Sequence, residues 1–269
     1  MSTLEKVGVI AGYGNFPLIF VKAVKKAGYE PVVIALKEEF SSDLKAVVPD
    51  LLVASVGEFE KVVGYFKMAQ VTNVVMIGKV HKDKLFSDVK IDDSLKQVIA
   101  AVGIKDDPNL LKAIGMAFLK AGLHITDPNK YLTSLMTKEG VLTTKKPSDA
   151  ILADVKYGYL IAKEISRLGI GQTVVVREGT VLAVEAIEGT DNTIKRAASL
   201  SDGKGVVVKV AAENHDMRYD IPVIGSDTIE TIAASGVGVL AVEAGKTIIL
   251  DKEAVVKLAD SKGIVIVAI

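Results

Sequence analysis

The stretch VGVIAGYGNFPLIFVKAVKKAGYEPVVIAL, residues 7–36, decides the fold of the first half of the chain. Val7–Ala11 is a short and nearly continuous apolar run, the pattern of a strand buried on both faces. Gly12-Tyr13-Gly14-Asn15-Phe16-Pro17 interrupts it. Pro17–Ala27 then spaces its apolar residues as a helix does, and Gly28 stops it. Pro31–Leu36 is the next strand. A strand, a turn, a helix and a second apolar strand in this order build a parallel sheet.

The alternation continues outward. Leu51–Val56 and Asn73–Ile77 read as strands, with Glu58–Met68 as the helix between them. Further helices are expected at Asp92–Val102 and Pro108–Ala121. The expected class is therefore α/β, with an N-terminal Rossmann-like parallel-sheet domain over residues 1–136. Residues 137–149 are polar and basic, contain Gly140 and Pro147, and read as a linker or hinge. Ser148 or Asp149 is expected to cap a helix over Ala150–Leu168 that Gly169 ends.

Residues 150–269 are denser in strands. Thr173–Arg177 and Val181–Ala186 flank Glu178-Gly179 as a hairpin would. Helices are expected at Thr190–Leu200, Ser226–Ser235 and Asp251–Ser261. Strands are expected at Gly205–Ala211, Val237–Glu243, Thr247–Leu250 and Ile264–Ala268. This predicts a C-terminal mixed α/β domain. The string VLAVEA occurs at 181–186 and again at 239–244, without a wider repeat around it.

Composition narrows the chemistry. The chain has 269 residues, 49% hydrophobic, with 33 basic and 33 acidic residues. It can bury a sizeable core, and balanced charge gives no general attraction to nucleic acid. No cysteine occurs, which excludes disulfides, thiolate metal sites and cysteine nucleophiles. The three histidines, His81, His124 and His215, are too few for a multi-histidine centre, so a metal would sit on oxygen ligands. The chain opens Met-Ser-Thr-Leu-Glu-Lys and runs straight into a strand. It carries no apolar stretch of the roughly 20 residues that a spanning helix needs. A cytoplasmic protein is expected, with any membrane contact peripheral.

Several groups of residues are candidates for chemistry. Gly12 and Gly14 precede a helix start, where a phosphate can approach the backbone. A plain tight turn fits them equally, and Pro17 stands where a third dinucleotide-fingerprint glycine would be. Lys79 follows the Asn73–Ile77 strand and could meet a phosphate or simply face solvent. Asp106-Asp107 reads as the cap of the helix that Pro108 starts. Asp154 shares a helical face with Gly158, Ile161 and Ile165, and an acid in an apolar stripe needs a partner or a metal. Glu185, Glu188 and Asp191 gather three carboxylates around one strand-to-helix turn. Capping by Thr190 or Asp191 accounts for one acid only. The group could hold a cation while Gly189, Thr190 and Arg196 meet phosphate oxygens. Asp216-Met217-Arg218-Tyr219-Asp220 beside His215 puts two acids around an arginine, able to bind metal, activate water and neutralise phosphate.

In this order along the chain, these segments resemble the LpxI-type UDP-2,3-diacylglucosamine pyrophosphatases of lipid A biosynthesis. The resemblance is strongest at Val181–Ala186 with Glu188-Gly189-Thr190-Asp191 and Arg196. Lys209 and Asp216–Pro222 complete it, after Ala11–Gly14, Gly78-Lys79-Val80 and Asp154 with Gly158. It departs from the family pattern at Asn214-His215 and around Asp106-Asp107. The resemblance implies two domains with the substrate between them. It implies hydrolysis of UDP-2,3-diacylglucosamine to UMP and 2,3-diacylglucosamine 1-phosphate by water attack on the α-phosphorus. It also implies a catalytic aspartate, carried over to Asp220 first and Asp216 second. Mg2+, or a related ion such as Mn2+ or Co2+, is expected on Asp154, Glu185, Glu188 and Asp191. Phosphate and substrate contacts are expected from Gly12, Gly14, Lys79, Gly189, Thr190, Arg196, Lys209 and Arg218. A homodimer and peripheral contact with the inner membrane are among the expected partnerships. The competing readings are a nucleotide-dependent oxidoreductase using the Gly12–Pro17 turn and a non-catalytic nucleotide-lipid sensor.

Overall fold

The computed structural model describes residues 4–37, 42–78, 90–102, 107–133, 135–211 and 222–269. The chain forms two compact units that divide after residue 134.

In the first unit, β1 (Lys6–Ala11) leads into α1 (Phe16–Lys26), β2 (Glu30–Leu36), α2 (Ser42–Val47) and β3 (Leu52–Ala54). Then come α3 (Phe59–Met68), β4 (Asn73–Ile77), α4 (Asp93–Val102), α5 (Asp107–Lys120), β5 (His124–Ile125) and the short α6 (Asn129–Leu132). The strands lie in the order β3-β2-β1-β4-β5, and every pair is parallel. Ile10, Ile34, Leu36 and Val74 pack with Phe66 of α3 and Phe118 of α5. The alternate residues Val9, Val33 and Val75 are equally buried. Alternation along each strand thus places apolar side chains on both faces, as a doubly covered parallel sheet requires. This is the Rossmann-like layer that the 7–36 stretch predicts.

The winding reverses at β1, whose neighbours are β2 on one side and β4 on the other. Gly12 and Gly78 meet at the carboxyl ends of these central strands. The Gly12 N–H donates to the Ile77 carbonyl at 2.8 Å. Gly78 has φ +97, and a Cβ there would lie 2.9 Å from the Gly12 carbonyl carbon and 2.9 Å from the Tyr13 oxygen. The Gly78 backbone is therefore packed against the Gly12-Tyr13 turn, which only glycine at position 78 permits.

The second unit opens with β6 (Gly140–Val141), then α7 (Asp149–Arg167), β7 (Thr173–Arg177), β8 (Thr180–Val184), α8 (Thr190–Ser199) and β9 (Val206–Lys209). It continues with β10 (Val223–Ile224), α9 (Ser226–Ala234), β11 (Val239–Val242), β12 (Ile248–Ile249), α10 (Lys252–Ser261) and β13 (Val265–Ala268). The main sheet has the order β6-β13-β11-β9-β7-β8. β9, β11 and β13 are parallel, whereas β7 and β6 are antiparallel to their neighbours and β8 is antiparallel to β7. β10 and β12 pair separately. On one face, Val155 and Ala162 of α7 meet Val174, Val176, Val206, Val208, Ala241 and Val267. On the other, α8, α9 and α10 cover Val175, Val207, Leu240, Val242 and Ile266 through Ile194, Ile229, Ile232 and Val255. A Cβ on Gly158 would lie 2.7 Å from Val208, so this glycine lets α7 sit close on β9.

The run 137–149 is not a free connector, contrary to its polar composition. β6 pairs with β13, and the Leu142 N–H donates to the Ile266 carbonyl at 2.9 Å. Asp260 accepts from both the N–H and the hydroxyl of Thr144, at 2.8 and 2.9 Å. Polar residues suit an exposed edge strand as well as they suit a linker. Ser148 caps α7, its hydroxyl accepting from the Ile151 N–H, and Gly169 follows the helix with φ +71. The 178–179 turn is the expected hairpin, with positive φ at both Glu178 and Gly179.

Candidate active site

In the second sheet the chain direction gathers chemistry on one edge. β9, β11 and β13 run parallel, and two antiparallel steps through β7 make β8 run with them. Their carboxyl ends, where ligands collect in sheets of this kind, lie together. Glu185 follows β8, Lys209 ends β9 and Glu243 follows β11, while Thr173 begins β7 opposite Lys209.

The first polar network forms around Thr190, the first residue of α8. Glu185 is buried, and its Oε2 accepts from the Gln172 N–H at 3.1 Å. Its Oε1 accepts from the Thr190 hydroxyl at 2.9 Å. Lys209 Nζ donates to that same hydroxyl oxygen at 3.0 Å, and the Thr173 hydroxyl is 3.3 Å away. Gly189, at the N-cap with φ 78, offers no side chain to the helix start. A lysine, two hydroxyls and an uncapped helix N-terminus thus converge beside one buried carboxylate. Such a set attracts phosphate oxygens through both charge and backbone dipole.

Glu188 and Arg196 belong to the turn rather than to an open site. Arg196 Nη2 donates to Glu188 Oε1 and also to the Val184 carbonyl, the latter at 2.9 Å. Glu188 Oε2 accepts from the Ala186 N–H at 3.2 Å. The Arg196 guanidinium, with backbone amides assisting, holds the Glu188 carboxyl below its usual range. These contacts bind the 185–189 turn to α8.

The second network lies at the same edge on the α7 face. Glu243 is buried, and its Oε2 accepts from the Ala211 N–H at 2.9 Å. Its Oε1 lies 2.8 Å from Lys246 Nζ and 3.5 Å from Lys163 Nζ, and accepts from the Tyr159 hydroxyl at 3.4 Å. Lys163 also donates to the Ala211 carbonyl at 3.3 Å. Burial pushes the Glu243 carboxyl up, but Lys246, the Ala211 amide and Lys163 together hold it below the ordinary glutamate value.

The expected site residues divide accordingly. Glu185, Gly189, Thr190 and Lys209 are brought together. Gly12 and Gly14 lie in the first unit, beside a cavity of about 10 Å³, room for one water. Lys79, Asp216, Arg218 and Asp220, with His215, lie outside the described residues. The expected metal set is not assembled among the described residues. Asp154, Glu185, Glu188 and Asp191 do not gather, and among the described residues no group of three or more histidines, aspartates or glutamates could hold an ion. Asp154 instead accepts from the N–H groups of Glu178 and Gly179 at 2.8 and 2.7 Å. Its carboxylate caps the hairpin turn, which explains an acid on that helical face without a metal. Glu185 and Glu188 are each occupied by amide, hydroxyl or guanidinium donors, and Asp191 lies on the first turn of α8.

Sequence reading passed over Glu243, Lys163, Lys246 and Tyr159. One signal for Glu243 was present. It ends the second VLAVE string, as Glu185 ends the first, and an acid closing a buried strand needs partners in both places.

Comparison with known proteins bears on the whole chain. Residues 6–135 match the LpxI N-terminal domain and residues 138–267 the LpxI C-terminal domain. A relative from Caulobacter vibrioides, described as UDP-2,3-diacylglucosamine pyrophosphatase LpxI, is 31% identical over 99% of this chain and 98% of its own length. Both domains match in order and nearly end to end, so the chain belongs to the LpxI family.

Proposed function

We propose that the protein hydrolyses UDP-2,3-diacylglucosamine to UMP and 2,3-diacylglucosamine 1-phosphate. The relative's described activity and the match over both domains support the substrate and reaction. The structural observation that carries the reading is the Lys209–Thr190–Glu185 network at the uncapped start of α8.

In this reading water attacks the α-phosphorus. A new P–O bond forms to the uridylyl phosphorus, the bridging P–O bond breaks, and the sugar 1-phosphate leaves with the bridging oxygen. Lys209 and the first amides of α8 neutralise charge on the phosphate oxygens as it builds up. Preorganised donors of this kind act without reorganising during the reaction. Glu185 fixes the Thr190 hydroxyl, and with it the target of the Lys209 ammonium. The attacking water gives its proton to an aspartate, Asp220 in first place and Asp216 in second. Both stand in the run 212–221, which follows Ala211 in the sequence.

A divalent cation, Mg2+ or a similar ion, is part of the proposal because a pyrophosphate ester carries charge that such ions offset. The four acids first expected to ligate it do not form one cluster among the described residues, and no step is routed through them. Two acyl chains on the substrate call for peripheral contact with the inner membrane from the cytoplasmic side. Fully exposed Ile187, in the turn between Glu185 and Glu188, supports that contact. Among the described residues no helix is long and apolar enough to cross a membrane.

The test is turnover by purified protein of UDP-2,3-diacylglucosamine in detergent micelles with Mg2+. UMP release that stops with chelator supports the reading, and bound substrate without UMP under any divalent ion contradicts it.

A further inference from the structure

Side chains from four parts of the fold meet at Thr190 Oγ1. Thr173 begins β7, Glu185 follows β8, Lys209 ends β9 and Thr190 opens α8. Three of the four are locked by the sheet. Thr173 faces Lys209 across the β7–β9 ladder, so their side chains share one face. The Glu185 N–H donates to the Thr173 carbonyl at 2.9 Å, and Glu185 Oε2 accepts from the Gln172 N–H at 3.1 Å. Gly171 permits this approach, since a Cβ there would strike the Glu185 carbonyl oxygen.

The direction of each bond at Thr190 Oγ1 follows from its protons. A threonine hydroxyl has one proton to give and two lone pairs that accept. Thr190 gives its proton to Glu185 Oε1, 2.9 Å away. Lys209 Nζ, 3.0 Å away, is an ammonium and can only donate. The Thr173 hydroxyl, at 3.3 Å, is therefore the donor of its pair with Thr190. The proton and both lone pairs of Thr190 are then committed, and its oxygen is held from three sides.

Thr173 is fully buried, so bulk water does not reach the place of its hydroxyl. Its branched Cβ restricts χ1 and keeps the hydroxyl aimed. Valine, the residue at 174, 175 and 176, would fill the same space without a polar atom. What the hydroxyl adds is the third bond to Thr190.

We infer that Thr173 is a positioning residue for hydrolysis, its buried hydroxyl donating to Thr190 and so fixing the Lys209 ammonium at the start of α8. The inference rests on the proposed role of Lys209 toward the phosphate. Thr173 need not touch the substrate to act in this way.

The experiment compares the full-length wild type with Thr173→Val, Thr173→Ser, Lys209→Met and the Thr173→Val/Lys209→Met double variant. Turnover of UDP-2,3-diacylglucosamine with Mg2+ is measured alongside thermal unfolding. Thr173→Val should lower kcat by about 3- to 10-fold, the weight of one neutral hydrogen bond, with KM changed less than about 2-fold. Thr173→Ser should recover most of the rate. In the Lys209→Met background, Thr173→Val should change kcat by less than about 2-fold, because the residue it acts through is gone. A folded Thr173→Val protein with wild-type kcat would overturn the inference, even with a lowered unfolding temperature. Equal losses of kcat in the two backgrounds would overturn it as well. If Thr173→Val does not fold, Thr173→Ala takes its place in the same comparison. Absence of turnover in the wild type would overturn the functional reading and this inference with it. Wild-type turnover with an unaffected Thr173→Val variant would overturn the inference alone.

Discussion

Glu185 and Glu243 hold equivalent places at the ends of two strands with identical sequence. Each closes a Val-Leu-Ala-Val run, and each accepts a backbone N–H from an adjoining segment, Gln172 for Glu185 and Ala211 for Glu243. Each also meets a lysine-bearing network: Lys209 through the Thr190 hydroxyl in one case, Lys163 and Lys246 directly in the other. Side-chain alternation sends Lys209 to the α8 face and Glu243 to the α7 face, so one sheet edge carries two separate polar networks.

Lys209→Met tests the first network. It keeps the aliphatic stem and removes the ammonium from Thr190. The expected outcome is a fall in kcat of about 100-fold or more with the fold intact, the usual cost of losing one preorganised donor. Steady-state kinetics with a melting curve check this. A near wild-type kcat would remove Lys209 from the phosphate-facing set.

Asp154→Ala separates the corrected role of this residue from the metal role first expected of it. Two turn amides lose a charged acceptor, so stability should fall by about 1–3 kcal/mol. Turnover per folded molecule and its dependence on Mg2+ should be unchanged. Denaturant unfolding and a metal titration read the two effects independently, and a weakened Mg2+ response would restore Asp154 to the metal.

The pH dependence of stability follows from Glu243. Its folded-state carboxyl titrates below the ordinary value of 4.5. A depressed acid contributes stability that is fully present above its unfolded value and is lost as pH falls through the folded one. Unfolding free energy should therefore drop below about pH 4.5, and Glu243→Gln should flatten that acid limb. An unchanged limb in the variant would contradict the assignment.

Ile187→Asp probes the membrane contact. Replacing one fully exposed isoleucine by a charge should lower partition onto anionic lipid vesicles by about 3- to 10-fold, given the transfer free energy of a partly inserted side chain. Vesicle sedimentation measures it. Equal partition would place the lipid contact elsewhere.

Much of the architecture was legible because burial writes itself into apolar runs. Val7–Ala11, Pro31–Leu36 and Asn73–Ile77 are long and continuous enough to be read as parallel strands, and the Glu178-Gly179 turn carries its own signature. β6 was not legible: two exposed residues, Gly140 and Val141, carry no period, and their partner β13 lies more than a hundred residues away. The partners of Asp154, Glu178 and Gly179, sit in a turn 24 and 25 residues further on, beyond the reach of a helical pattern. Sequence marked it correctly as an acid in need of donors but could not say which donors. In the 185–191 turn, Glu185 and Glu188 have separate partners, Gln172 and Thr190 for the first and Ala186 and Arg196 for the second. Glu243 was hidden because its partners come from α7, from the end of β9 and from the turn after β11.

The most direct test of the central claim is hydrolysis of UDP-2,3-diacylglucosamine with Mg2+ in 18O-labelled water, followed by mass spectrometry of both products. The account predicts one 18O in UMP and none in 2,3-diacylglucosamine 1-phosphate, with no products when the divalent ion is chelated. Label in the sugar phosphate would contradict attack at the α-phosphorus, and absence of UMP under any divalent ion would contradict the assigned reaction itself.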